Sequence, residues 1–168
     1  MHFHTADLCD RFENDISVGL QVAEPMFNDF GGKRAFYGEI VTLKVFEDNS
    51  LVREILKESG KGKVLVVDGG GSLRCALFGD QLGLLAQNNG WQGIVIYGCV
   101  RDSDVLAEMN IGVRALATQP QRSRKKGIGE KGIPVHFADT TFMPGEWICV
   151  DGDGIIVLKK APVCSECA

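Results

Sequence analysis

Three polar residues follow closely on apolar runs: Asp80 after "ALFG", and Arg101 with Asp102 after "GIVIYGCV". Arginine presents a planar fork of donors that suits a carboxylate or a developing oxyanion. Aspartate is a hard oxygen ligand of the kind Mg²⁺ and Mn²⁺ take. A magnesium site needs only one or two protein carboxylates, with water and substrate completing the shell. Gly79 and Asp80 stand where a helix should begin, and the unsatisfied N–H groups of a first helical turn can seat a carboxylate or a phosphate. Each motif alone has an ordinary structural reading. Asp80 can simply cap its own helix, and "RD" can be a surface ion pair. Location joins them. Twenty residues separate Asp80 from Arg101, about one helix out and one strand back. Both turns then fall at the carboxyl ends of buried strands, where open α/β sheets collect their ligands.

The elements that must position these residues follow from hydrophobic period and turn chemistry. Thr5 is placed to cap a short first helix that carries Leu8 and Phe12 on one face. "AEPMFNDFGGKRAF" stops any helix at Pro25 and at the Gly31-Gly32 pair. "YGEIVTLKVF" alternates and predicts a half-buried strand. Asp48, Asn49 and Ser50 supply capping chemistry for a helix over "LVREILKES", ended by Gly60. "KVLVVDGGGS" predicts a buried strand running into a glycine turn, one that leads to a helix beside a small-ligand pocket. "ALFGDQLGLLAQNNGW" reads as a loop and then a helix closed by Asn89-Gly90. "GIVIYGCV" is a second buried strand, and "RDSDVLAEMN" a loop and short helix in which Asp104 is a helix-start carboxylate. "VRALATQP" and "IPVHFAD" are further strands, and "WICVDGDGIIVLKK" is a hairpin. The basic stretch "QPQRSRKKGIGEKG" reads as an exposed loop. The alternation of strands and helices, with strands dominating the end, predicts an α/β fold: a single compact domain over residues 1–160 with a partly parallel sheet and a β-rich portion, then a tail at 161–168.

The 168 residues suit one core, and the composition is that of a globular protein. A net charge of −4 argues against a nucleic-acid footprint over the whole molecule. No signal peptide or membrane-length apolar run is visible, so a cytoplasmic protein is expected. Cys75, Cys99 and Cys149 lie in or beside apolar runs and read as core residues. The C-terminal "CSEC" is a lone CxxC and reads as a frayed tail. His136 lies in an apolar strand and reads as a satisfied core residue; His2 and His4 form an H-x-H at a mobile end. "VVDGGGS" has Arg74 where G-x-G-x-x-G needs a glycine, Ser72 where the methyltransferase pattern needs one, and no Walker lysine.

The spacing from Asp80 through twenty residues to Arg101-Asp102 resembles the D-x20-R-D motif of the metal-dependent class II pyruvate aldolases of the 4-hydroxy-4-methyl-2-oxoglutarate/4-carboxy-4-hydroxy-2-oxoadipate aldolase family. "LCDRFENDISV", "FNDFGG", "FEDNSLVREIL", "GKVLVVDGGGSLRCAL", "NNGWQGIVIYGCVRD" and "FADTTFMPGEWICVDGDGIIV" are similar to the regulator of ribonuclease E activity A, which shares the aldolases' fold. The resemblance covers roughly residues 5 to 160 and implies a swivelling-domain-like α/β/β sandwich. It implies that backbone amides of Gly79, Asp80, Gln81 and Leu82 hold the pyruvoyl carboxylate. Arg101 then contacts the keto or enolate oxygen, and Asp102 holds Mg²⁺ or Mn²⁺, partly through water. The implied reaction is retro-aldol cleavage of 4-hydroxy-4-methyl-2-oxoglutarate to pyruvate through an enolate, with oxaloacetate decarboxylation at the same site. Metal-bound water is the candidate base, with Asp80 orienting it. Similar proteins are homotrimers or dimers of trimers. Some use a C-terminal acidic residue of a neighbouring subunit, for which this shorter chain offers no secure counterpart. The family also includes a protein-binding regulator of an endoribonuclease, which is the alternative function. A quinone-biosynthesis methyltransferase assignment is also attached to it, and the missing glycines argue against that one.

Overall fold

The runs "KVLVVD" and "GIVIYGCV" carry no polar alternation, and nearly every residue in them is buried on both sides of one sheet. The computed structural model describes residues 3–162. Cys164, Cys167 and His2 lie outside the described residues.

In chain order the elements are α1 (Thr5–Phe12), a 3₁₀ turn (Ile16–Val18), β1 (Gln21–Val22), β2 (Asn28–Asp29), β3 (Phe36–Lys44), α2 (Ser50–Leu56), β4 (Lys63–Asp68), β5 (Ala76–Phe78), α3 (Asp80–Asn88), β6 (Gly93–Val100), α4 (Ser103–Glu108), β7 (Gly112–Thr118), β8 (Glu130–Lys131), β9 (Val135–Phe137), β10 (Thr140–Phe142), β11 (Trp147–Val150) and β12 (Ile155–Leu158). The sheet runs β1-β12-β11-β3-β4-β6-β7-β2, with β5 beside β6 and β8 beside β3. Its middle, β3-β4-β6-β7, is parallel. Parallel neighbours need a crossover, and α2, α3 and α4 lie in the three crossovers. The flanking strands β11, β12, β1 and β2 are antiparallel.

Alternate residues of the central strands face two cores. Leu65, Val67, Ile94 and Ile96 pack with Val52, Ile55 and Leu56 of α2, Leu82 and Ala86 of α3 and Leu106 of α4. Val64, Val66 and Val95 pack with Val135 and Phe137 of β9 and Phe142 of β10 on the other side. The result is a helical layer, the main sheet and a small β layer, as an α/β/β sandwich requires. Helix α1 covers the β11–β12 hairpin through Leu8 against Cys149, Ile156 and Leu158. Cys75, Cys99 and Cys149 are buried, and burial pushes the Cys149 thiol up to about 12.

Several local expectations are corrected. Thr5 does not cap α1 but begins it, with His4 at the cap position. Its N–H and hydroxyl donate instead to the Asp151 carboxylate at 2.7 and 2.6 Å, because that buried acid beside the β11–β12 turn needs donors. Strand β3 alternates in burial as a half-buried strand does, but the face that carries Ile40 and Thr42 is covered by the β layer, so Thr42 is fully buried and donates to the Ile133 carbonyl at 2.6 Å. Helix α2 ends at Leu56, before Gly60, which lies where a side chain would run into the Trp91 indole. Ala76–Phe78 forms a strand beside β6 rather than a loop, and the glycine turn therefore leads to β5, not to a helix.

Gly93 and Gly112, paired neighbours at the starts of β6 and β7, form the floor on which the Phe36 ring lies. A Cβ at either would enter that ring, which is 1% exposed. Gly112→Ala is expected to destabilise the fold by about 1–3 kcal/mol through overpacking. Urea unfolding should show a lower midpoint at unchanged slope.

Candidate active site

Strands β5 and β6 lie side by side and parallel, with Phe78 opposite Val100. The Arg101 N–H donates to the Phe78 carbonyl at 2.9 Å, which fixes the turn after β6 against the turn after β5. Gly79 links β5 to α3 in an extended conformation. A Cβ on it would stand 2.7 Å from Asp102 Oδ2 and 3.1 Å from Arg101 Cγ, so the absent side chain leaves the Asp102 carboxylate free to lie against the start of α3. Asp102 adopts φ 55° and ψ 39°, the left-handed region that few non-glycine residues enter and that aspartate tolerates best. That conformation brings its Oδ2 to 3.5 Å from the Asp80 N–H and 3.4 Å from Arg101 Nε. Asp80, Arg101 and Asp102 are thus brought together, across the twenty residues that separate them in the chain.

The amides at the start of α3 already carry internal partners. The Gln81 N–H donates to Asp80 Oδ1 at 2.6 Å, and the Leu82 N–H to the Gly79 carbonyl at 3.1 Å. Two carboxylates, those of Asp80 and Asp102, therefore meet the helix N-terminus, as its partial positive charge favours. The Gln81 side chain is exposed and that of Leu82 is buried in the helical core. Arg101 and Asp102 keep 40% and 37% of their side chains exposed, enough to meet a ligand.

These residues border a cleft of about 700 Å³, the size of a small-molecule site. Gly79, Asp80, Gln81, Leu82 and Arg101 line one part of it, and Asp102 adjoins this lining. Asn49 and Arg53 contribute from α2 and its entry, and Gln121 to Lys125 from the segment after β7. The basic stretch is the exposed loop that was expected, Ser123 being its one buried residue, but the sequence did not reveal that it is pinned as a second wall of the cleft. The Ala76 N–H donates to the Gln121 carbonyl at 2.8 Å and the Arg124 N–H to the Glu47 carbonyl at 3.0 Å. Asp48, 3% exposed, accepts from the N–H groups of Ser50, Lys126 and Ile128 at 2.8, 2.7 and 3.2 Å. The available signal was topological: the run "RSRKK" starts just past β7, a parallel neighbour of β6, and so at the same sheet edge as Arg101.

Other candidates fall away from this site. His136 is exposed on the β9–β10 hairpin, with Nδ1 at 3.0 Å from Thr141 Oγ1, and is not a core residue: in so short a strand its neighbours Val135 and Phe137 face inward instead. In the glycine turn the N–H of Gly70 donates to Asp68 Oδ1, and those of Gly69 and Gly71 donate to the Tyr97 carbonyl. None of the three glycines lines the cleft. Among the described residues no three His, Cys, Asp or Glu side chains gather as a metal cage. The donor set is instead two hard carboxylates, Asp80 in the cleft lining and Asp102 adjoining it, beside space for water and ligand. That set fits Mg²⁺ or Mn²⁺ and does not fit zinc, which takes three or four nitrogen, sulfur or carboxylate ligands. No helix of the described residues is long and apolar enough to cross a membrane.

The chain belongs to the RraA-like family: the family model described as Aldolase/RraA matches residues 5–157. A relative from Dechloromonas aromatica (strain RCB) is 58% identical over 161 residues, covering 96% of this chain and 99% of its own. One from Pseudomonas syringae pv. tomato is 56% identical over 157 residues, 94% of each chain. Both are named "Putative 4-hydroxy-4-methyl-2-oxoglutarate aldolase". Among solved structures, the RNA-processing inhibitor RraA from Thermus thermophilis is 42% identical, with a TM-score of 0.92 over 99% of this chain and 98% of that one. A structure from Geobacillus kaustophilus HTA426, described as an S-adenosylmethionine: 2-dimethylmenaquinone methyltransferase, is 46% identical, with a TM-score of 0.90 over 95% and 96%.

Burial alone would raise the Asp48 carboxyl, but its hydrogen bonds from Ser50, Lys126 and Ile128 outweigh that and hold it to about 2, below the ordinary 3.8. A folded value below the unfolded one means stability that is present above about pH 4 and lost as pH falls toward about 2. Compared with Asp48→Asn in urea, the wild type should hold an advantage of about 2 kcal/mol near neutrality. That advantage should disappear by about pH 2.

Proposed function

We propose that the protein is a divalent-metal-dependent lyase that cleaves 4-hydroxy-4-methyl-2-oxoglutarate and releases pyruvate, with oxaloacetate decarboxylation as a side activity, acting in the cytoplasm. The observation that carries this is the closure of Arg101 and Asp102 onto the α3 N-terminus across Gly79. The identity of more than half of the residues to relatives named as such aldolases supports the same reading.

The pyruvoyl carboxylate would take the place that the carboxylates of Asp102 and Asp80 now hold at the amides of Asp80 and Gln81, with the Gly79 amide beside them. The Leu82 amide, bonded to the Gly79 carbonyl, closes the turn that presents them. Arg101 would donate to the keto oxygen. Its charge then favours the transition state over the substrate, because negative charge grows on that oxygen as the carbon–carbon bond breaks. Asp102 would hold Mg²⁺ or Mn²⁺, which when bound supplies Lewis-acid polarisation of the same keto acid. Asp80, released from the Gln81 amide by the incoming carboxylate, is free to orient the water that takes the proton of the 4-hydroxyl as the carbon–carbon bond breaks and returns a proton to the enolate carbon. No lysine Schiff base is required. A homotrimer or dimer of trimers completes the proposal.

A second reading has its own support. The likeness to the RNA-processing inhibitor from Thermus thermophilis extends over nearly the whole of both chains. A protein-binding role against an endoribonuclease would use outer surface rather than the cleft, so the two functions can coexist. Saturable capture of such an enzyme at micromolar concentration tests it.

Asp102→Ala and Arg101→Ala should each lower pyruvate release by about a hundredfold or more while leaving the fold intact. Gly79→Ala should do the same indirectly, since its Cβ displaces the Asp102 carboxylate. Pyruvate release from both substrates should depend on added Mg²⁺ or Mn²⁺ and stop with a chelator. Metal-independent turnover contradicts the proposal.

A further inference from the structure

Five cationic side chains line the cleft of a chain whose net charge is −4, and Asp80 is the one acid among the lining residues. Arg101 belongs to the pyruvoyl end. The other four, Arg53, Arg122, Arg124 and Lys125, come from two separate stretches of chain, and the chemistry at Asp102 makes no use of them. Gathered like charges repel, so the fold must hold them in place against that cost.

It does so mainly through the backbone. The Gln119 N–H donates to the Val100 carbonyl at 2.8 Å, directly before Arg101. Gln121 and Arg124 are tied to Ala76 and Glu47, and Lys126 and Ile128 to the buried Asp48. Between these ties the Arg122 and Lys125 side chains have no ion-pair partner among the described residues. Ser123 stands beside Arg122, lines the cleft and is 7% exposed, yet its hydroxyl has no hydrogen-bond partner. A buried hydroxyl left without a partner costs about 1–3 kcal/mol. Arg124 has Glu47 within electrostatic reach, but Arg122 and Lys125 have no such acid among the described residues. A pinned wall with two uncompensated cations and an unused hydroxyl is built to receive an anion.

We infer that segment 121–125, together with Arg53, seats the second carboxylate of the substrate. The first carboxylate takes the α3 N-terminus, and the basic wall selects dicarboxylic over monocarboxylic keto acids. Arginine forks match a carboxylate two-pronged, which makes this wall a reader of charge at the distal end rather than of shape. The inference rests on the lyase reading, whose substrates already carry two carboxylates, and assigns the residues that read the second one.

Calorimetric titration of the full-length protein, with magnesium present, tests it by comparing 2-oxoglutarate with 2-oxopentanoate. The two share a five-carbon chain and differ in the second carboxylate. The wild type is expected to bind 2-oxoglutarate about tenfold more tightly, as two partly exposed charge pairs allow. In the Arg122→Gln/Lys125→Gln double variant the preference should shrink to within about twofold, with 2-oxopentanoate affinity unchanged. Both side chains are exposed, and an unchanged thermal midpoint checks the fold. Equal affinities in the wild type, no binding of either acid, or an equal loss for both acids in the double variant each overturn the inference. A protein that keeps the preference but releases no pyruvate instead sinks the lyase reading and leaves the dicarboxylate seat standing.

Discussion

The bare backbone at Gly79 is the constraint on which the site depends. A single methyl group there would press on the Asp102 carboxylate and crowd the Arg101 stem. Two turns that arise twenty residues apart can then share one helix N-terminus. The cost is a left-handed aspartate and an acid–base pair kept close to the surface. Strain of this kind persists only where surrounding structure over-determines it. Here the parallel pairing of β5 with β6 and the Arg101–Phe78 backbone bond do so.

The sheet that carries these turns is rigid because it is buried twice. Leu65 and Val67 face the helices while Val64 and Val66 face the β9–β10 layer, so no strand in the middle can slip register without exposing a core. That rigidity is passed to the loops at the carboxyl ends. Asp48 extends it to the basic segment, making an exposed loop into a wall of the cleft. The two halves of the site are thus held differently: one by strand pairing, the other by backbone ties to Val100, Ala76 and Glu47 together with the buried Asp48 carboxylate.

Much of this was legible in the residues. The apolar runs at 64–67 and 93–100 could only be buried strands, and the spacing from Asp80 to Arg101 placed both turns on one edge. What escaped depends on contacts between distant parts of the chain. Thr42 reads as the polar side of a half-exposed strand until β9 covers it and Ile133 accepts its hydroxyl. Thr5 reads as a cap until Asp151 takes both its donors. The strand at 76–78 is too short to carry a period and exists because β6 offers it an edge. The basic wall escaped because charge patterning reports solvation, whereas the ties that hold residues 121–128 come from Ala76, Glu47 and Asp48.

The central claim is that the α3 N-terminus, Arg101 and Asp102 form one binding site for a pyruvate unit and a divalent cation. A crystal structure with Mn²⁺ and oxalate, which mimics the pyruvate enolate, tests it most directly. The account predicts the cation at the Asp102 carboxylate and oxalate touching it. One carboxylate of the oxalate should rest on the Asp80 and Gln81 amides, with Arg101 donating to the enolate-like oxygen. Oxalate and cation bound together away from Asp102, or the cation held without it, would contradict the account.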